Sequence, residues 1–165
     1  MTIHFHDSTS IATASGLGSN AGDILQTTSI SRLSSDFTTS NTSVQDSGLN
    51  ATITPSATSS KVIIIACMCL QAWGDQDRRA ITSIHNGTVG DSTQLARAFM
   101  GEYRSGSGSS YSYGQHTWWY LDSPSTTSAI TYRVGFKSGD GQDAKIQGGT
   151  GTSTRSYMYL QEVKG

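Results

Sequence analysis

Apolar and polar side chains alternate along much of this chain, in short segments separated by turn-rich stretches. The clearest segment is 129–137, where Ile130, Tyr132, Val134 and Phe136 alternate with polar or small residues. This period of two predicts a strand with one face in a core and the other in water.

Seven further segments read as strands. They are residues 24–33, 47–55, 61–71, 80–87, 94–103, 114–122 and 156–163. The propensities of residues 94–103 also allow a helix, but glycines and serines flank the segment on both sides as they flank the other short segments, and we favour a strand. Pro55 is expected to end the second of these strands because proline cannot continue a ladder of hydrogen bonds. The chain is therefore predicted to be all-β and antiparallel, as a sandwich or a barrel of about eight strands.

The segment KVIIIACMCLQ, residues 61–71, interrupts the alternation, because Val62 to Cys69 include no polar side chain. One face of such a strand fits the core between two sheets. The other face would leave about 200–300 Å² of apolar surface in water, or about 5–8 kcal/mol at 25 cal/mol per Å². The two faces of this strand are Val62, Ile64, Ala66, Met68 and Leu70 on one side and Ile63, Ile65, Cys67 and Cys69 on the other.

The last predicted strand has the same two-sided character, since Met158 and Leu160 alternate with Tyr157 and Tyr159. No helix is predicted that could cover a second apolar face. A partner subunit is the cover that we favour, and long loops folded over the outer face are the alternative.

Residues 1–22 differ from the rest of the chain. They contain few large apolar side chains after Phe5 and end in glycine and asparagine, a composition typical of an arm or linker. We expect an N-terminal arm that inserts Ile3 and Phe5 into a groove of a neighbouring protein. The alternative is a metal or anion site in which His4 and His6 from several chains converge.

Composition and charge limit the classes of partner that we expect the chain to bind. Charged residues make up 14% of the chain and the net charge is -1, so no basic field is available for nucleic acid or an anionic membrane. The apolar run is far shorter than the roughly 20 residues that span a bilayer, and the first residues lack the pattern of a signal peptide. We expect a chain that binds neither nucleic acid nor membrane and is not secreted through a standard signal.

No pattern of catalytic or cofactor-binding residues emerges from the sequence. His116, Asp122 and the many serines lack the Gly-x-Ser-x-Gly elbow of a hydrolase, so we expect no enzyme and no cofactor. Cys67 and Cys69, two residues apart in a strand, are expected to be buried free thiols, with a metal pair involving a histidine as the alternative. The aspartates of residues 74–77 and 139–143 lack the full spacing of a calcium site and are expected in solvated turns.

Several segments of the chain resemble a group of β-rich structural proteins of tailed bacteriophages. These segments are GDILQTTSISRLSSDFTTSNTSVQDSGLNATITPSATSSKVIIIA, HTWWYLDSPSTTSAITYRVGF and SYMYLQEV, within residues 22–163. The specific features are the step from Pro55 to a strand beginning at Lys61, and the step from Pro124 to a strand beginning at Ala129. The arrangement is similar to the jelly roll of the tumour-necrosis-factor and complement globular-head superfamily, whose members pack one sheet around a three-fold axis.

The resemblance implies an antiparallel jelly-roll domain at 23–165 that forms a homotrimer, with an attachment arm at 1–22. It places three strands in the inner sheet, at 61–71, at 114–121, where the aromatic residues lie, and at the C-terminus. Their second faces would be the trimer interface. The candidate interface residues are Ile63, Ile65, Trp118, Trp119, Tyr157 and Tyr159.

The resemblance implies a virion protein, which we expect to be a capsid decoration protein on the particle surface. Its partners would be itself and the major capsid protein or another virion protein, held by the arm. The alternative is the tip of a tail or head fibre that binds a host surface glycan. In that case Tyr111 and Tyr113, in or beside a glycine- and serine-rich loop, are the candidate glycan contacts.

Overall fold

The computed structural model of the chain describes residues 20–74, 78–102, 110–148 and 155–165, together with the backbone of residues 3–4 and 10–11. Within these residues the secondary structure consists of strands and turns, and there is no helix. The strands are β1 (Ile3–His4), β2 (Ser10–Ile11), β3 (Ile24–Thr27), β4 (Ser31–Arg32), β5 (Phe37–Thr39), β6 (Gln45–Ile53), β7 (Lys61–Gly74), β8 (Arg78–Asn86), β9 (Gln94–Glu102), β10 (Ser110–Asp122), β11 (Ile130–Ser138), β12 (Ala144–Ile146) and β13 (Tyr157–Val163).

Two antiparallel sheets form a sandwich, and β1 and β2 form a separate small hairpin. In the first sheet, β7 is central and pairs with β10 over most of its length. On its other side β7 pairs with β13 and, further along, with β12. The strands β3 and β4 lie beyond β13, and β5 lies beyond β12. The second sheet has the order β6-β11-β8-β9.

The core between the sheets is built from side chains that alternate along each strand. On β7 it takes the even-numbered set from Val62 to Ala72, so the face that contains Val62 and Ile64 is the core face. The largest ring that the core buries completely is Tyr132 on β11, and its hydroxyl donates a 2.7 Å hydrogen bond to Asp122 on β10. This bond ties the two sheets together at one end of the sandwich. Burial, followed by the hydrogen bond to Asp122, raises the pKa of the Tyr132 phenol far above its ordinary value.

Each of the eight predicted strands is present, with shifted ends. The segment 24–33 is divided into β3 and β4, and residues 94–103 form a strand, β9, as predicted. Within the sandwich, two further strands, β5 and β12, were not predicted. Each has three residues, which is too short for a periodic signal. β12 forms because Ala144 and Ile146 are buried beside β7, a contact made by the tertiary fold.

The two ends of the sandwich carry different segments. Gly22 N donates to Lys164 O at 2.8 Å and Lys164 N donates to Asp23 O at 2.9 Å, so the residues that follow the arm lie beside the C-terminus. The first residue of β7, Lys61, pairs with Val163 at this same end, which we call the arm end. The last residue of β7, Gly74, therefore lies at the opposite end, which we call the far end.

Candidate functional site

The odd-numbered residues of β7, with the residues paired to them on β10 and β13, form the outer face of the first sheet. Cross-strand pairing places Trp119 and Tyr159 on either side of Ile65, and Leu121 and Gln161 on either side of Ile63. Between its borders at Lys61 and Lys145, none of the outward-facing side chains described on β7, β10 and β13 is charged. They are Ile63, Ile65, Cys67, Cys69, Gln71, Trp73, Tyr113, Gln115, Thr117, Trp119, Leu121, Tyr157, Tyr159 and Gln161.

The half of this face near the arm end is apolar and open to solvent. Trp119 is 69% exposed and Leu121 is 52% exposed, while Ile65 between the rings of Trp119 and Tyr159 is 5% exposed. Trp119 by itself leaves on the order of 150 Å² of ring in water. Adjacent exposed apolar side chains of this size are typical of surfaces that contact another protein.

Five of the six candidate interface residues lie together on the outer face, and Trp118 does not. Alternation on β10 turns Trp118 to the inner face, where it packs against the core and donates a 3.2 Å hydrogen bond from Nε1 to Thr82 Oγ1. The expectation that Trp118 lies on the interface face is therefore corrected, since only one of two consecutive tryptophans can lie on a given face of a strand. Leu121 also lies on this face and was not among the predicted residues, although alternation along β10 places it on the same side as Trp119.

The outer face of the second sheet provides a comparison within the same molecule. Arg133 forms a 2.8 Å ion pair with Asp46, and Lys137 forms one of 2.6 Å with Asp91. An open groove of about 720 Å³ lies beside the first of these pairs, lined by residues that include Asn86 and Thr131. This face has the charged and polar character expected of a solvated sheet, so the uncharged strip that β7, β10 and β13 form on the first sheet is not a general property of the chain.

The two cysteines lie in the middle of the outer face, and both are free thiols. Gln115 Nε2 donates to Cys67 Sγ at 2.8 Å, and Cys69 Sγ donates to the Arg155 carbonyl at 3.7 Å. Cys67 is buried as predicted, but Cys69 is half-buried, because the outer face is open to solvent beside it. Burial, followed by the proximity of Cys67, raises the pKa of Cys69, which keeps this thiol protonated and unreactive at neutral pH.

A serine and a histidine meet inside the molecule, at a position that no substrate reaches. Ser83 Oγ lies 2.8 Å from His85 Nε2, and His85 Nδ1 lies 3.1 Å from the carbonyl oxygen of Thr93. Both Ser83 and His85 are 0% exposed, and burial lowers the pKa of His85. A buried neutral histidine donating from Nδ1 to a carbonyl and accepting a serine hydroxyl at Nε2 satisfies its own hydrogen bonds, so we assign this pair a structural role.

The described part of the chain brings together no group of three or more histidine, cysteine, aspartate or glutamate side chains that could hold a metal ion. His116 lies apart from the cysteines on the inner face of β10, with Nδ1 3.1 Å from Thr82 Oγ1. In the turn after β11, Asp140 Oδ1 accepts hydrogen bonds from Ser138 Oγ and Gln142 N and so caps its own turn. Residues 75–77 of the other aspartate loop lie outside the described residues.

Several of the candidate contacts fall partly or wholly outside the described residues. The backbone of Ile3 pairs with Ile11 in the small hairpin, but its side chain, His6, Phe5 and the side chain of Tyr111 are not described. Tyr113 is described, and it is 68% exposed near the far end of the outer face.

Over the described ranges, the structure contains no helix that is long and apolar enough to cross a membrane.

Comparison with known proteins adds no family to these observations. No protein-family model matches the sequence, and no curated protein is significantly similar to it.

Proposed function

We propose that the chain is a structural protein of bacteriophage particles, which assembles as a homotrimer and decorates the capsid. The observation that carries the proposal is the outer face of the first sheet, where Trp119 and Leu121 are exposed beside Ile63 and Ile65. An uncharged apolar face on a small sandwich suits a chain whose role is assembly with copies of itself. The proposal assigns the chain no reaction and no cofactor.

The order of the strands supports a jelly roll. Numbered one to eight along the chain, the eight principal strands are β3, β6, β7, β8, β9, β10, β11 and β13. Their order is 1-8-3-6 in the first sheet and 2-7-4-5 in the second. This order arises when one long antiparallel hairpin is wrapped so that its strands divide between two packed sheets. It is the eight-stranded arrangement of a jelly roll.

The position of the arm supports attachment to a second virion protein. Gly22 and Asp23 are held beside Lys164 by backbone hydrogen bonds, so the arm is joined to the sandwich at the arm end. The apolar half of the outer face lies toward the same end, since Ile63 pairs with Gln161 near the end of β13. An assembled trimer would thus bring three arms to one end, where Ile3 and Phe5 reach the major capsid protein or another virion protein.

Deletion of residues 2–19 tests the attachment role of the arm. The truncated chain keeps the hydrogen bonds of Gly22 and Asp23, so we expect it to fold and to assemble as the full chain does. Particles produced with the truncated chain should lack it, as measured by mass spectrometry of purified virions. Normal incorporation of the truncated chain contradicts attachment through the arm.

A fibre tip is the second candidate placement, and the exposure of Tyr113 favours it. A ring that is 68% exposed on a strand is presented to ligands rather than packed in the domain. Cryo-electron microscopy of virions separates the two placements. Many copies at three-fold positions of the capsid support decoration, whereas a few copies at the ends of tail or head fibres support a fibre tip.

A further inference from the structure

The part of the outer face near the far end is polar and aromatic. Tyr113 on β10, Gln71 on β7 and Lys145 on β12 form one row across three strands, through direct cross-strand pairs. Trp73 follows Gln71 on the same face, and Asp36 lies beside Lys145. We call these five residues the Tyr113 platform.

Hydrogen bonds and packing hold the platform in place. Gln71 is 8% exposed, and its Nε2 donates to the hydroxyl of Tyr113 at 3.3 Å. The Lys145 ammonium lies 5.5 Å from the centre of the Trp73 ring and 3.2 Å from Asp36 Oδ2. Three of these side chains stand on paired strands, and the hydrogen bond from Gln71 orients the Tyr113 hydroxyl, which lowers the cost of ordering the ring when a ligand binds.

The charges and sizes of the platform define the ligand that it fits. The ammonium of Lys145 is paired with the carboxylate of Asp36, so the platform has no excess charge with which to select an ion. It offers an exposed ring flanked by hydroxyl, amide, ammonium and carboxylate groups, which suits a neutral ligand with an apolar face and many hydroxyls. Tyr113 and Lys145 are two strands apart, about 10 Å, which is the length of a disaccharide.

The platform is separate from the apolar half of the same face. Trp119 lies six residues after Tyr113 on β10, a separation of about 20 Å along the strand. Residues 22 and 23, which follow the arm, lie at the other end, beside Lys164. A second copy packed on Trp119 would contact the half of the face near the arm end, and the Tyr113 platform would lie toward the far end.

We propose that the Tyr113 platform binds a neutral saccharide of about two sugar units. One pyranose ring stacks on the Tyr113 ring, and the hydroxyls of the saccharide accept from Lys145 and donate to Asp36. The site needs only the folded chain, so it holds for a capsid or a fibre placement and for any state of assembly.

Saturation-transfer NMR on the full chain tests the proposal with glucose, galactose, mannose, N-acetylglucosamine, maltose, lactose and chitobiose at millimolar concentration. We expect transfer to at least one disaccharide, and about ten-fold weaker binding in Tyr113→Ala, since ring contacts contribute up to about 1.5 kcal/mol. Tyr113→Phe keeps the ring and should bind within about three-fold of the wild type. The far-UV circular dichroism of each variant verifies that it is folded.

Trp119→Ala is the control that separates this site from the proposed assembly. It should change the molecular mass in solution and leave saccharide binding intact. Absence of transfer to every sugar, or equal transfer in Tyr113→Ala and wild type, overturns the proposal. A change of molecular mass in Tyr113→Ala, without saccharide binding by the wild type, would assign the platform to a protein contact instead.

Discussion

At the scale of single residues, Glu162 shows how this fold accommodates a buried charge. Its carboxylate is 1% exposed near the end of β13 and accepts hydrogen bonds from Gln26 Nε2 at 2.6 Å, Ser56 N at 2.6 Å and Ser56 Oγ at 2.7 Å. Burial by itself would raise the pKa of Glu162, but the hydrogen bonds outweigh it and lower the pKa from 4.5 to about 2. The carboxylate thereby joins β3, β13 and the loop after Pro55.

The ionised form of Glu162 stabilises the folded state, because its pKa is lower there than in the unfolded chain. This contribution is fully present above pH 4.5 and is lost as the pH falls toward 2. We expect the unfolding midpoint of the wild type to fall across this window more steeply than that of Glu162→Gln. At pH 7 the substitution should lower the free energy of unfolding by about 1–3 kcal/mol. The reason is that the amide group replacing the carboxylate brings N–H donors next to the donors of Gln26 and Ser56.

Thermal unfolding followed by circular dichroism between pH 7 and pH 2 measures both effects of the Glu162 substitution. Asp143→Asn, which changes an acidic residue outside this network, is the control and should follow the wild-type profile. Parallel pH profiles for the wild type and Glu162→Gln would contradict the role of the buried carboxylate.

Gly135 is a residue whose identity is required by its neighbours. A Cβ at this position would lie inside the van der Waals radii of His85 Nε2, Ser83 Oγ and a methyl group of Val44. Gly135→Ala should therefore destabilise the fold by about 1–3 kcal/mol, measured by urea unfolding. Gly90→Ala is the matched control, since its Cβ would be 3.7 Å from Thr93 Oγ1, an ordinary contact. Equal stability of the two variants would contradict the close packing at Gly135.

At the scale of elements, β7 combines two environments in one strand. Its even-numbered residues from Val62 to Ala72 are part of the core, whereas Ile63 and Cys69 on the other face are half-buried. The sequence identified both faces but could not distinguish them, because both sets are apolar. The pairing with β10 and β13 decides between them, since the second sheet covers one face only.

Adjacent substitutions on β7 test this difference. Ile64 is 0% exposed, so Ile64→Asp buries a charge without a partner and should leave the chain unfolded or aggregated. Ile63 is half-buried on the outer face, so Ile63→Asp should give a folded monomer. Circular dichroism and light scattering on both variants measure the two outcomes. If both variants unfold, or if both keep the wild-type mass, the outer face of β7 is not an assembly surface.

At the scale of the whole molecule, the two outer faces of the sandwich differ in charge, and this difference predicts how copies associate. The proposed trimer should have a mass of about three times 17.5 kDa at micromolar concentration, by light scattering. Because the contact is apolar, 1 M salt should not dissociate it, in contrast to a contact held by ion pairs. A mass of one chain at this concentration contradicts the assembly.

Two aromatic rings of equal exposure provide a matched test of the assembly surface. Trp119 is 69% exposed on the first sheet, and Phe99 is 68% exposed on β9 of the second sheet. Trp119→Ala should weaken the assembly by about 30-fold, as loss of a central aromatic anchor costs about 2 kcal/mol. Phe99→Ala should leave it unchanged. Sedimentation velocity over a concentration series measures both, and an equal effect of the two variants would place the contact elsewhere.

The sequence by itself determined the strands whose signal is local. The period of two in β11 predicted which residues enter the core, and Pro55 predicted where β6 ends, because backbone and side-chain geometry act over a few residues. The candidate face was also partly visible, since alternation grouped Ile63 with Ile65 and Tyr157 with Tyr159, and the resemblance placed these residues at the interface.

Only the tertiary structure decided which apolar face of β7 lies in the core, which of Trp118 and Trp119 points outward, and where β5 and β12 form. These outcomes depend on pairing between residues far apart in the chain, such as Ala144 with Ala72 and Tyr159 with Ile65. Alternation specifies that two faces differ but not which way either one points. The direction is set by the sheet that packs against the strand, and that contact is made only when the sandwich closes.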